Sequence, residues 1–154
     1  MPQRFTVRPF QLRDLPRILQ IEVASFGADA YDRNLFAEYA RISPRLFLVA
    51  APSSGKPRRV CGYSISLVLP KGDRAELVSL ALDPAFLGSG AADSLMRSTL
   101  RRLRLRRVSR LTLTVKISNL RALRFYQKYG FRKLRRAPAY YEDGADGILM
   151  SLAL

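Results

Sequence analysis

Ala75-Glu76-Leu77-Val78-Ser79-Leu80-Ala81-Leu82-Asp83-Pro84-Ala85-Phe86-Leu87-Gly88-Ser89-Gly90-Ala91-Ala92 is the stretch on which the fold turns. As far as Leu82 it is an apolar-rich run of strand length, and Asp83-Pro84 ends it, because proline lacks a ladder donor and restricts the residue before it. Gly88 and Gly90 then hand over to a segment in which Ala92, Leu95, Met96, Leu100 and Leu103 recur at helical spacing, with Arg97, Arg101 and Arg104 on the other side. Beyond it Leu111-Thr112-Leu113-Thr114-Val115-Lys116-Ile117 alternates strictly and reads as a half-buried strand. The helix between makes a crossover, the connection that parallel strands require. Backbone N–H groups at such a strand-to-helix turn, with the helix dipole behind them, hold a pyrophosphate well, and small side chains let it approach. A plain structural turn uses the same glycines, so this stretch establishes a strand–helix–strand unit and leaves the ligand open.

Working towards the N-terminus, Ala75 to Leu82 follows Val60 to Leu69 through Pro70-Lys71-Gly72-Asp73, and Val60 follows Leu46 to Ala51 through the turn composition Pro52-Ser53-Ser54-Gly55-Lys56-Pro57. Three strands joined this way form an antiparallel meander. Phe5 to Phe10 alternates and reads as an edge strand. Asp14 then caps a helix with Pro16 in its first turn, whose stripe is Leu15, Ile18, Leu19, Val23 and Phe26 and whose end is near Gly27. Asp32 caps a second helix carrying Leu35, Phe36 and Tyr39, stopped before Pro44. Towards the C-terminus, Asn119 precedes a helix with Leu123, Tyr126 and Tyr129 on one side, ended by Gly130. Phe131 to Leu134 and Gly147 to Leu154 read as the last strands. The expectation is an α+β single domain over 1–154: a mixed, mostly antiparallel sheet of about seven strands flanked by four helices.

Composition narrows the chemistry. A chain of 154 residues, 48% apolar and 25% charged, suits one globular core. It contains no histidine, which removes His-based triads, imidazole metal sites and the usual neutral-pH proton shuttle; no metal is expected. The single cysteine, Cys61, lies in an apolar run and reads as a buried, inert thiol. Met1 to Pro16 has no apolar h-region and nothing approaches the roughly 18 apolar residues of a membrane span, so a soluble, cytoplasmic protein without membrane attachment is expected. A formal charge of +15 suits anionic partners, a ribosome or another acidic surface among them, although a generic solvated surface is the preferred reading of such charge.

Ala81 to Ala92 together with Ser118-Asn119-Leu120-Arg121-Ala122-Leu123-Arg124-Phe125-Tyr126-Gln127-Lys128-Tyr129-Gly130-Phe131 resembles the GNAT superfamily of acetyl-CoA-dependent N-acetyltransferases. The likeness runs along essentially the whole chain and is most like the branch that acetylates protein N-termini, including ribosomal-protein alanine. It implies that the backbone of Leu80, Ala81 and Leu82 pairs with the pantetheine arm of acetyl-CoA. Leu87, Gly88, Ser89, Gly90, Ala91 and Ala92 would cradle its pyrophosphate, Asn119 would hold the cofactor and Tyr126 would sit by the sulfur. It further implies that the strands containing Leu82 and Val115 splay apart to open the reaction slot. Two positions depart from the family: Leu87 where Gln or Arg is usual, and Ser89 where Arg is frequent. Arg97 and Arg101, or Arg121 and Arg124, would compensate near the 3′-phosphate, or simply face solvent.

Acetyl transfer to an amine needs a neutral nucleophile, a donor for the developing oxyanion and a proton for the leaving thiolate. The N-terminal branch commonly carries a glutamate on the fifth strand, where this chain has Thr114. Glu76 occupies the fourth-strand position where the resemblance to the histone-acetyltransferase branch implies a base, acting through water with its pKa raised by burial, unless it faces solvent paired with an arginine. Tyr126 is the expected acid and the N–H of Leu82 the oxyanion donor. Tyr31, Tyr140 and Tyr141 resemble the aromatic walls that grip the substrate's first residues, and Glu142, Asp143 and Asp146 form an acidic cluster that either receives a cationic amine or is simply an exposed loop. No Cys or Ser is positioned for an acyl-enzyme, so direct transfer in a ternary complex to a protein or peptide N-terminus is expected. A non-catalytic acetyl-CoA sensor, an acetyltransferase for lysine or a small amine, and a nucleic-acid-binding protein are the alternatives; the acceptor and the oligomeric state stay open.

Overall fold

The sheet follows the order β1-β2-β3-β4-β5-β7-β6, in a computed structural model that describes residues 3–54 and 59–154. Gly55, Lys56 and Pro57 of the expected first turn lie outside the described residues. The strands are β1 (Phe5–Pro9), β2 (Phe47–Pro52), β3 (Gly62–Val68), β4 (Arg74–Leu82), β5 (Arg110–Lys116), β6 (Arg132–Ala137) and β7 (Gly147–Ala153). The helices are α1 (Leu15–Phe26), α2 (Arg33–Ile42), α3 (Ala91–Leu105) and α4 (Leu120–Lys128). Every neighbouring pair is antiparallel except β4 and β5, which α3 joins as a parallel crossover. The mixed α+β sheet with four helices is the one that the hydrophobic periods imply.

The central strands are buried on both faces, and each face takes its own helices. On one side Ile18, Ile21 and Phe36 of α1 and α2 pack on Phe47, Tyr63 and Ile65; the Phe36 and Tyr63 rings meet edge to face at 5.6 Å. On the other, Met96, Leu100 and Leu103 of α3 and Leu123 and Tyr126 of α4 pack on Leu111, Leu113 and Met150. Full burial of each such side chain contributes about 1.5–3 kcal/mol before chain entropy is counted. Between α3 and β3 two buried hydroxyls, Ser64 Oγ and Thr99 Oγ1, pair with each other at 3.3 Å.

Two N-terminal expectations are corrected. Asp14 does not cap α1; its carboxylate takes both guanidinium nitrogens of Arg8 at 2.8 Å and the Gln11 N–H at 2.8 Å, tying α1 back to β1. The buried stripe of α1 is Leu15, Ile18, Ile21 and Glu22, while Val23 is 61% exposed. The expected stripe used only apolar residues, and so passed over a glutamate seven positions after Leu15, two helical turns on and on the same face.

Candidate active site

β4 and β5 are paired only over Arg74↔Arg110, Ala75↔Leu111 and Glu76↔Thr112, yet β4 continues to Leu82 and β5 to Lys116. From Leu77 onward the two strands splay apart, as the resemblance implies, leaving the β5-facing backbone groups of β4 without a ladder partner. The gap opens into a cleft of about 970 Å³, floored by Glu76 to Leu80 and Leu113 to Lys116 and walled by α1, α2, α4 and the β6–β7 loop. Leu80 faces this cleft. Ala81 and Leu82 point into the two cores instead, so what they offer a ligand is backbone.

Past β4, Leu87 is 48% exposed, and Gly88 and Gly90 adopt φ of +77° and +97°. A Cβ on either would meet nothing within 4 Å, so these glycines answer to backbone conformation and not to crowding. Gly90 is the left-handed N-cap of α3. Ser89 Oγ accepts the Ala91 N–H at 3.3 Å, Ala91 is buried, and Ala92 is half-buried. An unpaired strand edge leading to a glycine turn at a long helix's N-terminus suits an extended, anionic thioester co-substrate. Asn119 Oδ1 caps α4 by accepting the Ala122 N–H at 3.1 Å while the residue lines the cleft, so its amide group remains the part able to meet a ligand.

The carboxylates divide unexpectedly. Glu76 lines the cleft and is half-buried. Glu22, which periodicity passed over, is 1% exposed and also lines the cleft. Its Oε2 accepts the Tyr31 N–H at 2.8 Å and its Oε1 the hydroxyl of Tyr63, which lies 3.2 Å from Ser79 Oγ. Burial pushes the Glu22 carboxyl up to about 7, against the opposing Tyr31 hydrogen bond. A cleft-lining carboxyl on an otherwise apolar helix stripe is the sequence signal that would have found it. Thr114 lines the cleft as well.

Tyr126 on α4 is buried against the sheet yet borders the cleft, and burial holds its phenol protonated well above its ordinary range. Tyr31 is anchored through its hydroxyl to the Val78 carbonyl at 3.4 Å; Tyr140 and Tyr141 stack edge to face at 5.0 Å, and all three line the cleft. Of the expected acidic trio, Asp143 is spent on Lys116 at 2.8 Å and Asp146 on Arg136 and the Ala139 N–H, leaving Glu142 towards the cleft. Lys116 also reaches Asp29 at 3.0 Å and lies 5.3 Å over the Tyr141 ring. One ammonium thus fastens the α1–α2 loop to the β6–β7 loop. Cys61 is buried among Leu48, Leu82 and Leu95, and burial pushes its thiol up to about 11, a poor state for a nucleophile.

Residues 13–131 match the family model described as Acetyltransferase (GNAT) family. The chain is 31% identical to an uncharacterised N-acetyltransferase of Methanocaldococcus jannaschii over 94% of this chain and 88% of that one. It is 26% identical to a putative ribosomal protein bS18-alanine N-acetyltransferase of Bacillus subtilis, over 97% and 96% of the two chains. The crystal structure of Ard1 from Thermoplasma volcanium superposes with a TM-score of 0.90 at 26% identity, covering 97% of each chain.

Proposed function

The chain belongs to the acetyltransferase (GNAT) family and is an acetyl-CoA-dependent N-acetyltransferase, and from that premise we propose that its acceptor is the N-terminal amine of a protein or peptide. The observation that carries this reading is the cleft itself: a trough of about 970 Å³, open along the splayed strands and walled by Tyr31, Tyr140 and Tyr141, has room for the first residues of an extended chain. The B. subtilis relative, named for ribosomal-protein alanine, supports the same acceptor class.

In this reading the β5-facing edge of β4 receives the pantetheine arm at Leu80 to Leu82, and Gly88 to Ala92 with the N-terminus of α3 receive the pyrophosphate. Asn119 contributes its free amide group. Acetyl-CoA supplies the activated acetyl as a thioester. The amine nitrogen attacks the thioester carbonyl carbon, the C–S bond breaks, and the amine's proton leaves towards carboxylate while the sulfur takes one. Glu22, oriented by two hydrogen bonds and poised near neutrality, suits the accepting role through a water, because an effective general base has a pKa near the working pH. Glu76, half-buried on the same floor, holds the incoming ammonium and shares the proton relay. Tyr126 donates to the thiolate: its phenol stays protonated, as a donor must. A backbone N–H of β4, that of Leu82, meets the oxyanion.

The test is calorimetry with acetyl-CoA on wild type and Gly90→Val, followed by a panel of peptides with free and blocked N-termini. Binding lost in the variant, and CoA release only with free N-termini, is the expected result. Release with blocked, lysine-containing peptides would reassign the acceptor to lysine. Binding without release on any amine would make the protein a sensor.

A further inference from the structure

Between Asp93 and Glu142 the chain contains no acidic residue and fifteen Lys or Arg, while the remainder carries twelve of each sign, so the whole formal charge of +15 resides in this one stretch. The stretch is α3, β5, α4 and β6, which lie side by side: Lys128 of α4 meets Asp93 of α3, and β5 and β6 flank β7. Its densest part is at the end of the sheet away from the cleft, which begins on β5 only at Leu113. There Arg104 in the last turn of α3 and Arg106 and Arg107 in the turn that follows it are all exposed. Arg110 opens β5 and donates to Ser151 Oγ at 2.6 Å. Ser151 in turn pairs with Arg132, the first residue of the edge strand β6, where Arg132, Lys133 and Arg135 are exposed. None of these α3 and β6 cations forms an ion pair among the described residues.

Crowded like charges cost free energy unless a counter-charge arrives. Arg102, in the middle of the cluster, shows the crowding: its Nε is buried without a partner, and burial, then the charges of Arg101 and Arg106, lower the affinity of its guanidinium for its proton. A charged edge strand alone would be an ordinary guard against sheet-to-sheet association, but that role does not extend to the end of α3. We propose that this surface, from the C-terminal end of α3 across the start of β5 to the open edge of β6, is a docking site for RNA. Guanidinium forks match phosphate oxygens bidentately and stack on unpaired bases, and the unpaired N–H groups of an edge strand add donors to the same backbone. A lipid surface fits less well, because the apolar stripe of α3 is spent on the core and Leu105 and Leu134 are its isolated exposed leucines, too few to form an inserting face. Since β6 leads from this end towards Tyr140 and Tyr141 at the cleft, RNA held there would keep an associated protein terminus close to the catalytic slot.

The experiment is fluorescence anisotropy with a labelled single-stranded RNA and a labelled RNA hairpin across a salt series. It compares wild type with the combined variant Arg104→Glu, Arg106→Glu, Lys133→Glu, Arg135→Glu, and with the corresponding four glutamine changes should the charge reversal not fold. Expected is a loss of affinity of about tenfold or more, with a log–log salt slope shallower by about 3, at roughly 0.7 per phosphate contact removed. Acetylation of a short peptide and the thermal midpoint should be unchanged. Unaltered RNA binding in the variants would overturn the proposal. So would displacement of RNA by acetyl-CoA, which would return these arginines to the cofactor. Anionic vesicles or polyglutamate competing as well as unlabelled RNA would replace RNA with a lipid or an acidic protein.

Discussion

In the proposed mechanism Glu22 is the residue at which proton transfer from the amine ends. Its carboxyl is buried, lies in the cleft and titrates at about 7, above the 4.5 of an unperturbed glutamate, because burial disfavours the charged form. Two consequences follow with opposite readouts. For activity, Glu22→Gln should lower kcat roughly a hundredfold or more, and the wild-type rise of rate through pH 7 should move up towards the α-amine's own value of about 8; a pH–rate profile on one peptide measures both. For stability, the folded pKa is raised, so the native state holds a proton that the unfolded chain has released. Wild type therefore loses stability as pH climbs from about 4.5 to about 7 and levels off above that, whereas Glu22→Gln lacks that decline in urea titrations across the window. Tyr126→Phe tests the other end of the proton path. It removes one hydroxyl from an enclosed ring without opening a cavity, so kcat should fall by roughly 10²-fold while KM for peptide and acetyl-CoA changes little.

At the level of elements, the catalytic slot exists because two parallel strands stop pairing after three residue pairs, and its mouth because two loops are tied together by Lys116. Lys116→Met keeps the stem packing and removes the charge, so both loops should loosen. The expected outcome is a several-fold rise in peptide KM with kcat within about twofold, and faster proteolysis of the β6–β7 loop; unchanged KM would show that the loops hold themselves. The order of elements was legible in the sequence since every strand and helix had its own period and its own stop, such as Asp83-Pro84 or Gly130. The splay of β4 from β5 came from the family likeness, because periodicity carries no information on where a ladder ends. The ties were legible in neither way. Asp14 reads as a cap from its position before Pro16, and only the approach of Arg8 across β1 turns it into a strand-to-helix strut. Asp143 and Asp146 read as receptors for an amine, and only folding brings Lys116 and Arg136 to consume them. Glu22 stood on the buried stripe all along, at the spacing of Leu15 and Ile18, but an apolar-only count is blind to the polar residue that the stripe buries.

Taken whole, the molecule is electrically polarised across its own active site. Six of its twelve acidic residues, Glu22, Asp29, Asp32, Glu38, Glu76 and Glu142, line the cleft against one base, Lys116, while the entire excess of positive charge lies between Asp93 and Glu142. Such a division suits a reaction that must gather an anionic co-substrate from one side and a cationic amine from the other. It also sets a preference among acceptors: in the proposed binding mode the residues following the N-terminal amine would lie against Asp32 and Glu142 at the cleft rim, Glu38 there being paired with Arg41, so lysine or arginine is drawn in and aspartate or glutamate repelled. Because these rim carboxylates face water, the attraction acts through solvent and is screened over a Debye length of about 10 Å at 0.1 M salt. Peptides differing only at the second to fourth residues should therefore show kcat/KM several-fold higher for basic than for acidic members at low ionic strength, with the ratio shrinking towards one as salt is raised. The difference should reside in KM, since the reacting atoms are the same in every member of the series. A preference that survived high salt would instead require a direct, desolvated contact with the rim, and Glu142→Gln and Asp32→Asn would then each have to remove it separately.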